Sequence, residues 1–339
     1  MKRYHRQTLL PQIGPEGQRK LRDAGVLLVG CGALGTNVAE QLVRAGIGRL
    51  RIADRDVVEL SNLQRQTLFS ESDAREGIPK AEAAAARLRA INSEVTVEAH
   101  AVDVAGDNIL SLAEDVDVII DGTDNVFTRY LINDTAVRLG KPWVYGACVG
   151  VEGRVMAVLP RISPCLRCVF RDPPAGHELA TCDTAGVLGS VAAIVASLQA
   201  ILAVQLIVGE ARQATRHLLA IDGWNMNVRR IELSDRAVDC PCCMREVFEF
   251  LDASRPVGEV LCGRDAVQVR PPRAIRVDLA SLASRLGGLG EIRQSPGFLR
   301  FKPADSLVTL TVFCDGRAIV QGTADLARAR SLYARYVGD

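Results

Sequence analysis

The chain has 339 residues, enough for one large domain and a small one, and 48% of them are hydrophobic, which predicts a well-packed core. Its formal net charge of +1 gives no electrostatic case for binding nucleic acid or an anionic membrane. The basic N-terminus lacks the apolar core of a signal peptide, so we expect a cytoplasmic protein whose ten cysteines are reduced.

Strand and helix patterns alternate from residue 26 to residue 160, after an N-terminal arm of residues 1–25 with a helical pattern over 18–23. The predicted strands are 26–29, 50–53, 95–101, 117–121, 143–147 and 151–159, the last as an antiparallel edge strand. The predicted helices run from the glycine turn to about Ala45, over the alanine-rich 81–90 and from about Val126. This alternation predicts a Rossmann-like, doubly wound α/β fold with a mostly parallel sheet and ligands at its strand C-termini.

The rest of the sequence divides into two parts. Residues 161–250 hold two cysteine pairs, a long apolar stretch at 187–208 and a hairpin-like strand at 224–232. Polar residues and a glycine interrupt the apolar stretch, which favours a buried helix over a membrane span. Prolines at 256 and 271–272 mark a break in composition. We therefore predict one domain over 1–254 and a small C-terminal α+β module of unknown role over 255–339.

A glycine-rich turn follows the first predicted strand and opens the first long helix. Its glycines are Gly30, Gly32 and Gly35, and Asp54 ends the next strand. Glycines let the backbone approach a phosphate, the helix N-terminus offers free N–H groups to it, and Asp54 can accept hydrogen bonds from a ribose. Enzymes that bind NAD carry the same pattern, so it predicts a nucleotide site without naming the nucleotide.

Charged residues beyond this turn indicate a triphosphate. Arg65 and Lys80 are candidate triphosphate ligands, Asp124 follows a buried strand and is a candidate Mg²⁺ ligand, and Asn62 could orient the phosphates. Each residue alone is better explained by a surface salt bridge, but their shared position at strand ends favours a site. The P-loop pattern is absent from the sequence. The set suits attack of a carboxylate on the α-phosphate, with release of pyrophosphate.

Two C-x-x-C pairs provide four thiolates for a metal. Cys165 and Cys168 form the first pair, and Cys240 and Cys243 the second. Four thiolates are the ligand set of a closed tetrahedral Zn²⁺ site, which here would clip distant segments together. The alternatives are a redox dithiol or unligated thiols. Cys242 could replace Cys243, although the spacing favours Cys243.

Cys182 stands apart from these pairs, in a polar loop ahead of a predicted helix, where a thiolate is favoured. An inert, buried cysteine is an equal alternative. His177 lies in the same loop and could act on Cys182, although the histidines show no ligand spacing.

With these residues in hand, the chain resembles the ThiF/MoeB/HesA family, the bacterial relatives of ubiquitin-activating enzymes, over about residues 3–250. The motifs that carry the resemblance are Arg3-Tyr4-x-Arg6-Gln7, the glycine loop, Asp54-x-Asp56, Ser61-Asn62-Leu63-Gln64-Arg65-Gln66, Pro79-Lys80, Thr123-Asp124-Asn125, the two C-x-x-C pairs, and Thr181-Cys182 followed by Ala185-Gly186-Val187. The run from Ser61 to Gln66 and the four cysteines are specific to the family, whereas the glycine loop is not.

The resemblance implies an ATP-dependent adenylyltransferase over 1–254, acting on the C-terminal Gly-Gly carboxylate of a ubiquitin-like sulfur-carrier protein. It implies that Ala33, Asp54, Ser61, Asn62, Leu63, Gln64, Arg65, Lys80, Asp124 and Asn125 line the ATP site, with Asp124 near Mg²⁺. It implies a homodimer in which Arg6 reaches the partner's ATP, zinc on the four paired cysteines, and a role for Cys182 in acyl linkage or sulfur transfer. A cysteine desulfurase or another sulfur donor would then be a further partner.

The C-terminal module departs from some fused family members, because it shows no clear rhodanese loop. Two of its segments, 262–264 and 315–320, resemble extensions on ThiF-type proteins, which favours thiazole formation for thiamin over molybdopterin synthesis. The rival functions are an NAD-dependent oxidoreductase and a zinc-stabilised binding module without catalysis. Arg65, Lys80 and Asp124 argue against both.

Overall fold

A computed structural model describes residues 3–173, 185–209, 215–252, 258–260, 266–271, 275–295 and 297–338. The chain divides into two compact units, Met1–Ala253 and Ser254–Asp339.

The first unit alternates helices and strands as its sequence predicts. Its strands are β1 Gly25–Val29, β2 Arg49–Ala53, β3 Thr96–His100, β4 Val118–Asp121, β5 Trp143–Val149, β6 Glu152–Val158, β7 His217–Asp222 and β8 Asn227–Glu232. Its helices are α1 His5–Thr8, α2 Gly14–Asp23, α3 Ala33–Ala45, α4 Glu71–Glu76, α5 Lys80–Ile91, α6 Ile109–Ala113, α7 Val126–Leu139, α8 Leu166–Val169, α9 Gly189–Val208 and α10 Glu249–Asp252.

The strands form one eight-stranded sheet in the order β3-β2-β1-β4-β5-β6-β7-β8. The first five are mutually parallel and the last three are antiparallel, so the predicted doubly wound, mostly parallel α/β fold is confirmed. The expectation that residues 151–159 form an edge strand is wrong. The β7–β8 hairpin pairs with the far side of β6, because the chain returns to the sheet after α9.

Helices cover both faces of this sheet, and strand alternation divides the core between them. On β1, Val26 and Leu28 point to the layer of α3, α5 and α9, whereas Leu27 and Val29 point to the layer of α6 and α7. All four side chains are buried, as expected for a parallel strand covered on both faces. Strand β1 is therefore covered on both faces, and the loop at its carboxyl end is the part that can face a ligand.

Helix α9 is long and apolar enough to cross a membrane by length and composition. In this fold it packs against α3, β5 and β6. Two of its polar side chains also have partners, because Gln199 Nε2 donates to the buried Asp121 carbonyl oxygen at 2.7 Å and Gln41 Nε2 donates to the partly buried Ser197 Oγ at 3.1 Å. These contacts favour the predicted buried helix.

The second unit is an antiparallel sheet with helices against it, as predicted for a small α+β module. Its elements are β9 Gly258–Val260, β10 Ala266–Val269, α11 Leu279–Leu286, β11 Gly290–Gln294, β12 Phe298–Pro303, β13 Thr309–Phe313, β14 Ala318–Gln321 and α12 Leu326–Tyr336. The strand order is β11-β12-β13-β14-β10-β9. Its core joins Leu282 of α11 and Tyr333 of α12 to Phe301 and Leu310 of the sheet.

Candidate functional site

The glycine loop after β1 meets the loop after β4 in very close backbone contact. Gly30 has a φ of +87°, and a Cβ on it would lie 2.8 Å from the Gly122 carbonyl carbon. A Cβ on Gly35 would lie 2.1 Å from the Gly30 oxygen, so α3 also needs a glycine to approach the loop. The Gly122 N–H donates to the Val29 oxygen at 2.8 Å. The two loops therefore form one surface at the sheet's carboxyl edge.

Asp54 holds the glycine loop from the side of β2. Its Oδ2 accepts a hydrogen bond from the Cys31 N–H at 2.6 Å and its Oδ1 accepts one from the Asp56 N–H at 2.7 Å. Burial raises the pKa of Asp54, and the nearby charge of Lys80 opposes that rise. Each carboxylate oxygen can accept a second bond, so this geometry leaves room for the predicted ribose contact while the carboxylate shapes the loop.

Lys80 is buried at the start of α5, with 3% of its surface exposed. Its Nζ donates to Asp56 Oδ2 at 2.9 Å, and its backbone N–H donates to the Asp56 oxygen at the same distance. Asp56 therefore balances a cation that could not otherwise stay charged away from water. A lysine held charged beside a glycine loop is suited to meeting a phosphate.

Residues 59–66 form a tight turn built around Asn62. Asn62 is buried, and its Oδ1 accepts from the Glu59 N–H at 3.1 Å, so this side chain shapes the turn. Arg65 follows it, with Nη1 donating to the Ser61 oxygen at 2.8 Å. The start of α9 packs against the turn, because a Cβ on Gly189 would lie 3.3 Å from Arg65 Cβ. The amide of Gln66 faces the glycine loop, 3.8 Å from where a Cβ on Gly32 would lie.

The loop after β4 presents Asp124 to solvent from a fixed backbone. Asp121 is fully buried, and its Oδ1 accepts from both the N–H and the hydroxyl of Thr123. Arg129 on α7 donates to Asp121 Oδ2 at 3.2 Å and to the Thr123 oxygen at 2.8 Å. Asn125 caps α7, accepting from the Thr128 N–H at 3.0 Å, while Asp124 itself is exposed.

The structure brings most of the predicted nucleotide residues to the glycine loop or to the segments that touch it. These are Gly30, Gly32, Ala33, Gly35, Asp54, Lys80, Asp124 and Asn125, with Ser61, Asn62, Leu63, Gln64 and Arg65 on the adjoining turn. Arg6 lies elsewhere, exposed on α1. Cys182 and His177 lie outside the described residues.

The four paired cysteines converge on one point. Their sulfurs all lie within 4.8 Å of one another, with Cys165–Cys168 at 3.8 Å, Cys165–Cys240 at 3.6 Å and Cys168–Cys243 at 3.4 Å. Four thiolates around Zn²⁺ at about 2.3 Å would lie about 3.8 Å apart, so the set fits that ion. The four-sulfur group contains Cys243 rather than Cys242, although the Cys242 side chain also bonds to Cys165.

Side chains of helix α7 hold the two segments that carry the cysteines. Asn133 is fully buried, its Nδ2 donating to the Cys242 sulfur at 3.2 Å and its Oδ1 accepting from the Leu166 N–H at 2.9 Å. Asp134 accepts from the Phe250 N–H at 3.1 Å, and burial raises its pKa to about 6. Both cysteine segments are thus anchored to α7, the helix that begins at the loop after β4.

Sequence reasoning missed several residues that build the site. Asp56 occurs in the quoted motif, but no role was assigned to it. Asp121 reads as the end of a buried strand, and Arg129 lies one turn into a helix, where an arginine usually faces solvent. A signal for the pair exists in hindsight: a charged residue ending an otherwise apolar strand needs a partner within reach. Gln199 interrupts an apolar helix for a similar reason, since it bonds to the end of β4.

Comparison with known proteins places this fold in a family. The ThiF family model matches residues 4–242. The chain is 42% identical over 339 residues to the sulfur carrier protein ThiS adenylyltransferase of Bacillus subtilis, covering 99% of each protein. It is 42% identical over 271 residues to the sulfur carrier protein adenylyltransferase of Thermus thermophilus, covering 77% of this chain and 96% of that one.

A solved structure, Escherichia coli MccB with ATP, superposes with a TM-score of 0.61 at 24% identity, covering 72% of this chain and 74% of that one. At that identity the likeness is one of fold alone. The family model covers well over half of the chain, and the Bacillus protein aligns along almost its whole length. The resemblance read from the motifs is therefore confirmed, and the chain belongs to the ThiF family.

Proposed function

We propose that this protein is an ATP-dependent adenylyltransferase that activates the C-terminal Gly-Gly carboxylate of a ubiquitin-like sulfur-carrier protein. One observation carries the proposal: a buried, charge-balanced Lys80 and an exposed Asp124 flank the same glycine loop. The printed names of both 42%-identical relatives describe adenylation of a sulfur carrier, which supports the same reaction here.

The reaction needs no general base. A carboxylate oxygen of the carrier attacks the α-phosphorus of ATP and forms an acyl-phosphate bond. The bond from the α-phosphorus to the bridging oxygen breaks, and pyrophosphate leaves with that electron pair. Because the nucleophile is already ionised, the protein has only to position the reactants and to neutralise charge on the phosphates.

We call the surface formed by the glycine loop, the 59–66 turn and the loop after β4 the crevice. Different residues of the crevice position the reactants and neutralise charge. Asp54 holds the glycine loop open for the phosphates and can accept from the ribose. Lys80 supplies positive charge from beneath the loop and Arg65 supplies it from the neighbouring turn. Asp124 would hold Mg²⁺, an ion that binds carboxylates together with phosphate oxygens and neutralises their charge. Asn125 acts through the backbone at the start of α7, which it caps, and Asn62 acts through the backbone of its own turn.

The four paired cysteines would hold a structural Zn²⁺. All four ligand positions are filled by the protein, which is the pattern of a closed site rather than a catalytic one. The ion would join the segment after β6 to the segment after β8 and so complete the layer beside α7.

We also propose a homodimer with composite active sites. Arg6 is exposed on the arm, next to Leu9 and Leu10, which are 64% and 49% exposed. Ile194 and Ile201 lie seven residues apart on α9 and are also exposed, so an apolar stripe runs along this helix. A partner subunit covering these surfaces would bury them and could receive Arg6 at its ATP.

The pathway we favour is sulfur transfer for the thiazole of thiamin, because the full-length Bacillus relative is named for the ThiS carrier. Molybdopterin synthesis is the alternative. We expect the protein to work in the cytoplasm with a cysteine desulfurase or another sulfur donor. Cys182 would act after adenylation, in acyl linkage or sulfur transfer.

The test of the reaction is exchange of labelled pyrophosphate into ATP by the purified protein, with a Gly-Gly carrier and with the same carrier lacking its last glycine. We expect exchange with the intact carrier alone. Exchange that is absent with every Gly-Gly carrier tried, together with NAD binding, would favour the oxidoreductase alternative instead.

A further inference from the structure

We propose that the buried Asp121–Arg129 ion pair positions Asp124 and thereby sets the affinity of the nucleotide site for its divalent cation. The inference rests on the proposed function and assigns a task to two residues that do not face the nucleotide themselves.

The pair fastens the loop on both sides of Gly122. Arg129 Nε donates to Asp121 Oδ2 at 3.2 Å, and Arg129 Nη2 donates to the Thr123 oxygen at 2.8 Å. Asp121 Oδ1 accepts from the Thr123 N–H at 2.9 Å and from its hydroxyl at 2.7 Å. The residue that comes next is Asp124. A single guanidinium therefore bridges the strand end and the loop directly before the exposed carboxylate.

Two further elements hold Asp121 in place, one through its carboxylate and one through its backbone oxygen. The Gly146 N–H on β5 also donates to Asp121, and Gln199 on α9 donates to the Asp121 backbone oxygen at 2.7 Å. Gly146 has no side chain, and a Cβ there would lie 2.4 Å from the Gln199 amide. Strands β4 and β5 and helices α7 and α9 therefore meet at Asp121.

The cost of this arrangement argues for a task beyond stability. Asp121 is fully buried and the Arg129 side chain is 13% exposed. Burial raises the pKa of Asp121, and the charge of Arg129 opposes the rise. Buried ion pairs are often no more stabilising than apolar residues of similar volume, so we infer that the value of this pair lies in fixing one geometry. Here the geometry that they fix is the backbone of Thr123.

A fixed backbone matters for a cation ligand. Asp124 is exposed, and the chain is held on both sides of it. Before it, the Gly122 N–H donates to the Val29 oxygen and the Gly122 backbone lies against Gly30; after it, Asn125 caps α7 by accepting from the Thr128 N–H. A carboxylate on a loop held from both sides loses less freedom when it binds a cation than one on a mobile loop. Loss of the Asp121–Arg129 contacts should therefore weaken cation binding, while the residues that bind the phosphates stay in place.

The experiment measures Mn²⁺ binding by electron paramagnetic resonance in the presence of the ATP analogue AMPCPP. The first variant is Arg129→Lys, which keeps the charge but cannot donate to both Asp121 and the Thr123 oxygen in the guanidinium geometry. The second is Thr123→Val, which keeps the ion pair but loses one donor to Asp121. Arg138→Lys, an exposed arginine on the same helix, is the matched control. We expect the Mn²⁺ dissociation constant to rise about tenfold in both test variants, the effect of losing one hydrogen bond, and to stay unchanged in the control.

A second readout separates positioning from folding. In carrier-dependent pyrophosphate exchange, both test variants should need about tenfold more Mg²⁺ for half-maximal rate and should recover most of the wild-type rate at saturating Mg²⁺. Unchanged metal affinity in both variants, even with a lower Tm, would overturn the inference and leave the pair merely structural. A wild-type protein without carrier-dependent exchange would overturn the proposed function, and the inference with it.

Discussion

The nucleotide crevice and the cysteine cluster are built in opposite ways. The cluster is closed: its four sulfurs already lie within 4.8 Å of one another, and two of its cysteines, Cys165 and Cys240, are almost completely buried. The crevice is open, with Asp124 exposed at its rim and Lys80 held below the glycine loop by Asp56. The cluster offers four sulfurs to one ion, whereas the crevice holds its charged side chains in position for an exchangeable ligand.

Because of this difference, we expect substitutions in the two regions to affect different properties, the rate of adenylation in one and the stability of the fold in the other. A change at the exposed Asp124 should alter catalysis and leave the fold intact, because an exposed charge contributes little to the packing. A change in the cluster should alter the fold first, because metal binding free energy is folding free energy for the segments that it joins. Helix α7 touches both regions, with Asn125 at one and Asn133 at the other, so the separation can be tested on a single element.

The largest expected effect on rate comes from Asp124→Ala. Loss of this carboxylate should lower carrier-dependent pyrophosphate exchange by on the order of 10²-fold or more, typical of removing a key charge-stabilising group. Zinc content and Tm should not change. Glu114→Ala, which removes another exposed acid, is the control and should exchange like wild type. Near-normal exchange in Asp124→Ala would contradict the assignment.

The largest expected effect on stability comes from Cys165→Ser. Metal analysis should find one zinc ion per chain in wild type and a loss of zinc in the variant, with a lower Tm. Cys314→Ser, in the second unit, is the control and should keep its zinc. Cys242→Ser tests the ligand set and should also keep its zinc, because Cys242 is outside the four-sulfur group even though its sulfur bonds to Cys165. Full zinc in Cys165→Ser, or its loss in Cys242→Ser, would mean that the ligand set is wrong.

A smaller effect, the recovery of pyrophosphate exchange in mixed dimers, tests whether two subunits share the crevice. Arg6→Ala and Asp124→Ala chains should each be weak alone. In randomly mixed dimers half of the dimers are hybrids with one intact site of two, so exchange should return to about a quarter of the wild-type rate. Absence of recovery, after subunit exchange has been verified by mass, would argue that Arg6 does not act in the partner's site.

The smallest expected effect on adenylation comes from Cys182→Ser. Adenylation needs only the crevice, so pyrophosphate exchange should stay at the wild-type rate. The variant should instead lose a reductant-sensitive adduct between enzyme and carrier, read as intact mass. Cys314→Ser, in the second unit, should keep both properties. A wild-type protein that never forms the adduct, even with its sulfur donor present, would leave Cys182 structural.

How much the sequence could predict also differs between the two regions. The cysteine pairs are local patterns typical of a tetrahedral zinc site, so the four sulfurs that the structure brings together could be named from spacing. In the crevice, a strand end located Asp124, because parallel strands bring their carboxyl ends together, whereas Lys80 begins helix α5 and does not follow a strand. The partners of these residues could not be named. Asp56 and Arg129 act through pairs with Lys80 and Asp121, and such pairs depend on side-chain directions that a pattern does not contain.

The fold shows the same limit. Alternating apolar segments predicted the strands of the parallel half, and β6 was recognised as antiparallel. The sequence did not predict its position inside the sheet. Strand β7, which pairs with its free edge, comes about 60 residues later, and strands that are distant in sequence can still pair. The hairpin of β7 and β8 therefore looked like a separate feature rather than the end of the sheet.

The measurement that tests the central claim most directly is the intact mass of the carrier after incubation with ATP, Mg²⁺ and the wild-type protein. The crevice predicts a carrier that gains one adenylyl group at its C-terminal glycine, with release of an equal amount of pyrophosphate. The carrier without its last glycine should remain unmodified. An unmodified Gly-Gly carrier in the presence of ATP, with the protein folded and loaded with zinc, would contradict the account.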